Sequence, residues 1–91
     1  MNVMAKYRKK PVVIDAFQFG LDPVPEWFSR AVISGHIRHQ SGYDFCEITT
    51  LEGLMVGRAG DFIIRGLKGE FYPCKSDIFH ASYEVVPQES T

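Results

Sequence analysis

The sequence contains five residues of the types that hold a metal ion through nitrogen or sulfur: three histidines and two cysteines. Structural zinc sites usually take their ligands from closely spaced pairs such as Cys-x-x-Cys. No such cysteine pair occurs here, and the spacing of the histidines matches no recognised zinc finger. We therefore predict exposed histidines, buried thiols, no bound metal and no cofactor. The residues concerned are His36, His39, Cys46, Cys74 and His80.

Cys74 is the best candidate for a catalytic nucleophile. It precedes Lys75 and the predicted start of a helix at Ser76, and a cation and a helix N-terminus both stabilise a thiolate. His80 follows closely enough to act as its base. A buried thiol that fills the bend between a strand and a helix is the other interpretation. Because 91 residues leave little volume for a cleft, we predict that the protein is not an enzyme, with a small enzyme using Cys74 as an alternative.

The run Gly66-Leu67-Lys68-Gly69 predicts a tight turn that could bring backbone N–H groups close to a phosphate. Two acids nearby have expected structural roles: Asp61 in a turn and Asp77 at the start of a helix. Five other residues of this region have no such expected structural role, and their side chains offer cations, an acid and an aromatic ring for binding a ligand. We predict that they bind a small anionic, nucleotide-like ligand, the alternative being a plain hairpin turn with a solvated lysine. They are Arg65, Lys68, Glu70, Tyr72 and Lys75.

The charge pattern argues against polymeric nucleic acid as a partner. The net charge is −1, so the whole chain has no basic footprint. Four of the ten positive charges nevertheless lie in the first ten residues, at Lys6, Arg8, Lys9 and Lys10, which predicts a flexible basic arm over residues 1–10. The chain contains no apolar run long enough to span a membrane. With two cysteines expected to stay reduced, we predict a cytoplasmic protein without membrane contact.

The hydrophobic pattern predicts one α+β domain over residues 11–87, followed by a frayed tail at 88–91. An amphipathic helix is expected over about 25–34 and a short second helix over about 76–82. Strands are expected at 12–19, 45–50, 54–56, 62–65, 70–72 and 83–86, with a loop or short strand before Phe45. The successive hairpins predict one small antiparallel sheet, curled or partly closed, packed against the first helix.

The first predicted strand is apolar on both faces, from Val12 to Phe19. One face should meet the helix that carries Trp27 and Phe28. The other needs a cover as well, which we expect to be either the short second helix or a neighbouring subunit. A homo-oligomer is therefore one of the partners that the sequence suggests.

Two runs of the chain resemble a family of small, functionally uncharacterised proteins of bacteriophages and prophages. The first is Tyr7 to Phe19, YRKKPVVIDAFQF, and the second is the block from Gly60 to Val86, which contains GDFIIRGLKGEFYPCKSDIF. The resemblance implies a phage genome and the cytoplasm of a bacterial host. It implies no catalytic residues.

Together these features predict a non-catalytic accessory binding protein used by a phage in its host. It would sequester a small anionic ligand or mask a host protein. A structural or assembly accessory without a ligand pocket is the alternative from a different class.

Overall fold

A computed structural model describes residues 4–87 of the chain. Residues 1–3 and the predicted frayed tail at 88–91 lie outside the described residues. The described part contains six strands and two helices. In chain order they are β1 (Asp15–Gln18), α1 (Glu26–Ser34), β2 (Ile37–Arg38), β3 (Phe45–Thr50), β4 (Gly53–Arg58), β5 (Phe62–Arg65), β6 (Phe71–Cys74) and α2 (Ser76–Ser82).

The strands form two open antiparallel sheets, ordered β1-β5-β6 and β2-β3-β4. The α+β class is confirmed, but the prediction of a single sheet is wrong. The chain leaves the second sheet after β4 because Gly60 and Asp61 bond to the end of β1. The Phe19 N–H donates to the Asp61 carbonyl at 2.8 Å, and the Gly60 N–H donates to the Phe19 carbonyl at 2.8 Å. β5 therefore pairs with β1, and Phe17 lies opposite Ile63.

Helix α1 has the predicted position. Pro25 is its N-cap, with extended backbone, and Gly35 ends it in the left-handed conformation at φ 87°. Such a φ favours glycine because a side chain would clash with the backbone there. Glu26 and Arg30 form an ion pair on the exposed face of the helix, where such a pair contributes only about 0.3–0.5 kcal/mol.

The core lies between α1 and the facing sides of the two sheets. Phe28 and Ala31 of α1 are buried there, and Phe28 packs edge-on against Phe17 at 5.1 Å between ring centroids. Trp27 lies half-buried at the margin. The buried cluster consists of Phe17, Phe19, Phe28, Ala31, Ile37, Cys46, Ile48 and Ile63.

Gly57 allows the two sheets to approach each other closely. It is buried in β4, opposite Cys46 of β3. A Cβ at this position would lie 2.8 Å from Ile63 Cδ1 and 3.2 Å from Cys46 Sγ. Since interiors are close-packed, the absent side chain leaves room for Ile63.

The opposite face of the β1-β5-β6 sheet has its own, smaller aromatic cluster. Phe62 of β5 stacks on Phe79 of α2 at 3.9 Å, and Phe79 stacks on Tyr83 at 4.9 Å. Ile64 is fully buried on this face. The sequence suggested α2 or a neighbouring subunit as the cover for the second face of the first strand, and α2 covers the adjacent strand β5 of the same sheet.

Two predicted strands differ from the structure. The first is shorter, because residues 12–14 extend past the end of β5 at Arg65 and have no neighbouring strand in the described chain. The last, at 83–86, does not form. The Tyr83 N–H donates to the Phe79 carbonyl at 2.9 Å, and the Tyr83 ring stacks on Phe79, so the chain continues beside α2 and pairs with no strand of the described chain. Pro73 lies within β6 at the edge of its sheet, a position that tolerates a residue without an N–H.

Candidate ligand-binding cleft

Three turns of the chain enclose an open cleft of about 730 Å³, which we call the hairpin cleft. His36 contributes from the turn between α1 and β2. The β3–β4 hairpin contributes residues 49–52 and Met55, and the β5–β6 hairpin contributes residues 68–72. These segments are far apart in sequence, and the packing of the two sheets brings them together.

The floor of the hairpin cleft is apolar and includes the ring of Phe71. That ring stacks on Trp27 at 5.8 Å with an interplanar angle of 10°, and the His36 ring meets it at 6.2 Å. Leu51 and Met55 add aliphatic surface. Because Trp27 belongs to α1 and packs against the core, Phe71 is held in a fixed orientation. A planar ligand could stack on it without a large ordering cost.

The polar groups of the cleft are few and of mixed charge. The charged groups in its lining are the ammonium of Lys68 and the carboxylates of Glu52 and Glu70. Ser34 Oγ lies 2.8 Å from His36 Nδ1 and orients that ring. The Thr50 hydroxyl donates to the Gly53 carbonyl at 2.6 Å and accepts from the Glu52 N–H at 3.1 Å, which fixes the tip of the β3–β4 hairpin. The cleft therefore has no strong positive field.

The turn at Gly66 to Gly69 uses two of its own amides. The Gly66 N–H donates to the Glu70 carbonyl at 2.8 Å, and the Gly69 N–H donates to the Gly66 carbonyl at 3.0 Å. The Glu70 side chain folds back over Gly66, where a Cβ would overlap its carboxylate. The plain-turn interpretation accounts for these two amides, so a ligand at Lys68 would rely chiefly on the side chain.

The five predicted binding residues do not form one surface. Lys68, Glu70 and Tyr72 line the hairpin cleft. Arg65 lies outside it, with its Nε 3.7 Å from Asp15 Oδ2 at the pairing of β5 with β1. Lys75 also lies outside it, because its Nζ is 3.2 Å from Asp61 Oδ2.

Asp61 has the structural role that the sequence predicted. Its carboxylate is buried, accepts a hydrogen bond from the Arg58 N–H at 2.9 Å and receives Lys75. It thereby closes the turn between β4 and β5. Lys75 completes this network and is not a free cation for a ligand.

Tyr72 is half-buried, and its pKa is raised to about 12, first by burial and then by the neighbouring Tyr83. Tyr72 therefore lies near the aromatic cluster around α2. The ring on the cleft floor is its neighbour Phe71, which the sequence analysis did not select. Alternation along β6 places neighbouring side chains on opposite faces of the sheet, but only the packing of Trp27 decides which of the two rings forms the floor of the cleft. His36, Leu51 and Met55 were missed because only the packing of the two sheets brings their segments to the cleft.

The two thiols lack the activation that a nucleophile needs. Burial and the charges of Asp61 and Asp77 raise the pKa of Cys74, against a smaller lowering by Lys9. Lys75, which was expected to lower it, faces Asp61. The pKa of Cys46 rises to about 11, mainly through burial. This is opposite to the depressed pKa of a catalytic thiolate.

We expect both cysteines to react slowly with iodoacetamide at pH 8, and Cys46 to react only after unfolding, because its thiol is buried as well as protonated. Mass spectrometry of the native and urea-unfolded chain, with free cysteine as the reference, measures the two rates. Alkylation of native Cys74 faster than free cysteine would contradict the raised pKa.

Within residues 4–87, no three histidine, cysteine, aspartate or glutamate residues are grouped so that they could hold a metal ion. Over the same range, no helix is sufficiently long and apolar to cross a membrane.

Comparison of the chain with protein-family models, with curated proteins and with solved structures found no match.

Proposed function

We propose that this chain is a non-catalytic binding protein whose hairpin cleft holds a small ligand with a flat apolar part and a single negative charge. The observation that carries the proposal is the position of Lys68 at the rim of an apolar cleft whose floor ring, Phe71, is fixed by Trp27. Apolar walls with a few placed polar groups are typical of small-molecule sites.

The charge balance narrows the ligand class. Lys68 faces the same space as Glu52 and Glu70, and Arg65 and Lys75 are paired elsewhere. A group with several negative charges, such as a terminal triphosphate, would be repelled by the two carboxylates. A cyclic mononucleotide fits better, because its phosphodiester carries one charge and its base can stack on Phe71. The nucleotide-like ligand expected from the sequence is thus restricted to this class.

The setting we propose is a phage-infected bacterium, where the protein would act in the cytoplasm by sequestering such a ligand. The support for this setting is the resemblance of the runs 7–19 and 60–86 to phage and prophage proteins. Masking of a host protein is the second candidate, favoured by the full exposure of Leu51 at the tip of the β3–β4 hairpin. Leu54 and Met55 of the same hairpin are exposed as well, and adjacent exposed apolar side chains mark interaction surfaces.

Thermal unfolding of the purified chain against a panel of cyclic mononucleotides tests the proposal. A ligand at 100 times its Kd adds about 2.7 kcal/mol of stability, which raises the Tm of a domain of this size by more than about 10 °C. Lys68→Glu should abolish the shift, because it replaces the one lysine of the cleft by a third carboxylate. Lys6→Glu, in the exposed basic arm, is the matched control and should keep it.

Two results would count against the assignment. If no member of the panel raises the Tm, the class of ligand is wrong. If a ligand stabilises the wild type and Lys68→Glu equally, binding occurs on another surface.

A further inference from the structure

The free edge of the β1-β5-β6 sheet has features of an interface. β1 lies at that edge. Phe19, just beyond the end of β1, exchanges backbone hydrogen bonds with Gly60 and Asp61 on the β5 side. Because residues of an antiparallel strand alternate in the direction of their N–H and C=O groups, Asp15 and Phe17 also face β5. The even-numbered residues of β1 therefore direct their backbone groups outward.

Asp22 closes one end of this edge. The Gln18 N–H donates to Asp22 Oδ2 at 2.9 Å, and the Gln18 carbonyl accepts from the N–H groups of Leu21 and Asp22. The next outward residues are Ala16 and Ile14, and within the described chain no strand pairs with them on this side. The outward backbone groups of this edge are thus bonded at Gln18, whereas from Ala16 toward the N-terminus they pair with no strand of the described chain. Native proteins usually cover or pair such an edge.

A groove of about 660 Å³ runs beside the open edge. Residues 12–16 form one wall, and Phe79 and residues 83–87 form the other. Val12, Val85 and Val86 are 43%, 91% and 59% exposed. Adjacent exposed apolar side chains of this kind mark interaction surfaces more often than isolated ones.

We propose that two copies of this chain associate through β1, antiparallel, across a two-fold axis at Ile14. Ile14 then lies opposite Ile14 of the second copy, and Val12 lies opposite Ala16. All of these residues direct their backbone groups to the shared edge. The two sheets join into one six-stranded sheet. Pro11 is compatible with this pairing. Like the other odd-numbered residues, it directs its backbone away from the shared edge, so its missing N–H removes no hydrogen bond of the dimer.

Electrostatic repulsion favours an axis at Ile14 over the adjacent register, in which the axis passes through Asp15. Centring the axis on Asp15 would place two carboxylates directly opposite each other, which is unfavourable. With the axis at Ile14, Lys10 lies beside Gln18 of the second copy, whose N–H holds the Asp22 carboxylate. The basic segment before β1 of each copy therefore meets the acidic cap of the other.

Sedimentation equilibrium of the full chain is the test, with Ala16→Pro as the main variant. The wild type should show a concentration-dependent dimer of twice the 10.3 kDa chain mass. Proline at position 16 removes an N–H that points away from β5, so the pairing of β1 with β5 remains. Each dimer loses two hydrogen bonds, and the dissociation constant should rise by about tenfold or more. Trp27 fluorescence checks that the monomer is folded.

Val12→Lys and Val13→Lys form a matched pair that keeps the proposal testable if proline disturbs the fold. Lysine at 12 meets apolar groups of the second copy and should weaken the dimer. Lysine at 13 lies opposite Asp15 of the second copy and should not weaken it. The proposed interface is wrong if the wild type stays monomeric or if Ala16→Pro leaves the dimer intact. It is also wrong if both lysine variants weaken the dimer equally.

Discussion

Phe28→Ala is expected to lower the free energy of unfolding by about 3–5 kcal/mol, the cost of truncating a buried aromatic side chain. Phe28 is almost completely buried, and its ring meets Phe17, Phe19 and His39 at centroid distances of 5.1, 5.9 and 6.0 Å. These neighbours come from β1, from the residue directly after it and from the segment after β2. They cannot close the cavity together without moving a sheet relative to α1.

The loss is large for a chain of 91 residues, since stability is roughly 0.05–0.15 kcal/mol per residue. Urea unfolding followed by the fluorescence of Trp27 measures it. Ile33→Ala is the matched control on the same helix, because Ile33 is 86% exposed and surface truncations usually change stability by less than about 0.5 kcal/mol. Equal effects of the two substitutions would show that α1 does not pack by its Phe28 face.

Asp61→Ala is expected to cost about 2–3 kcal/mol, because it leaves the Arg58 N–H and the Lys75 ammonium without their acceptor. Most of this cost comes from the backbone amide and the buried turn. Lys75 is 62% exposed, and water replaces much of its ion pair. Asp61→Asn keeps an acceptor oxygen for the Arg58 N–H and should cost less than half as much.

Asp15→Asn is the control for loss of a carboxylate in an ion pair. Asp15 and Arg65 are 62% and 43% exposed and 3.7 Å apart, so their pair should contribute no more than about 0.5 kcal/mol. The same urea experiment compares the three variants. If Asp61→Ala is as mild as Asp15→Asn, Asp61 does not organise the turn between β4 and β5.

The high pKa of Cys46 adds a pH dependence to these measurements. Its thiol ionises near the ordinary value of 9.0 in the unfolded chain but only near 11 in the folded one. The contribution of the neutral buried thiol to stability is therefore complete below pH 9 and is lost as the pH rises through 11. The unfolding experiments belong near neutral pH, where this contribution is constant.

The amino-acid sequence by itself determined the elements whose signals are local. The apolar residues of α1 recur at helical spacing between Pro25 and Gly35, α2 begins after Lys75, and the turn at Asp61 forms as expected. These features depend on interactions within a few residues, so composition and spacing were sufficient to predict them.

Only the tertiary structure decided how the strands associate. β5 lies next to β4 in sequence but pairs with β1, because the backbone at Gly60 and Asp61 is bonded to Phe19. That choice divides one expected sheet into two and leaves residues 83–86 without a strand partner in the described chain.

The same long-range pairing decided which residues share the hairpin cleft. Lys68, Glu70 and Tyr72 remain together because one hairpin carries them, whereas Arg65 and Lys75 face acids on segments distant in sequence. Phe71 enters the cleft because Trp27 packs against it. A side chain's partner is set by the free energy of the whole packed core, to which residues far apart in sequence contribute, and local spacing carries no information about that sum.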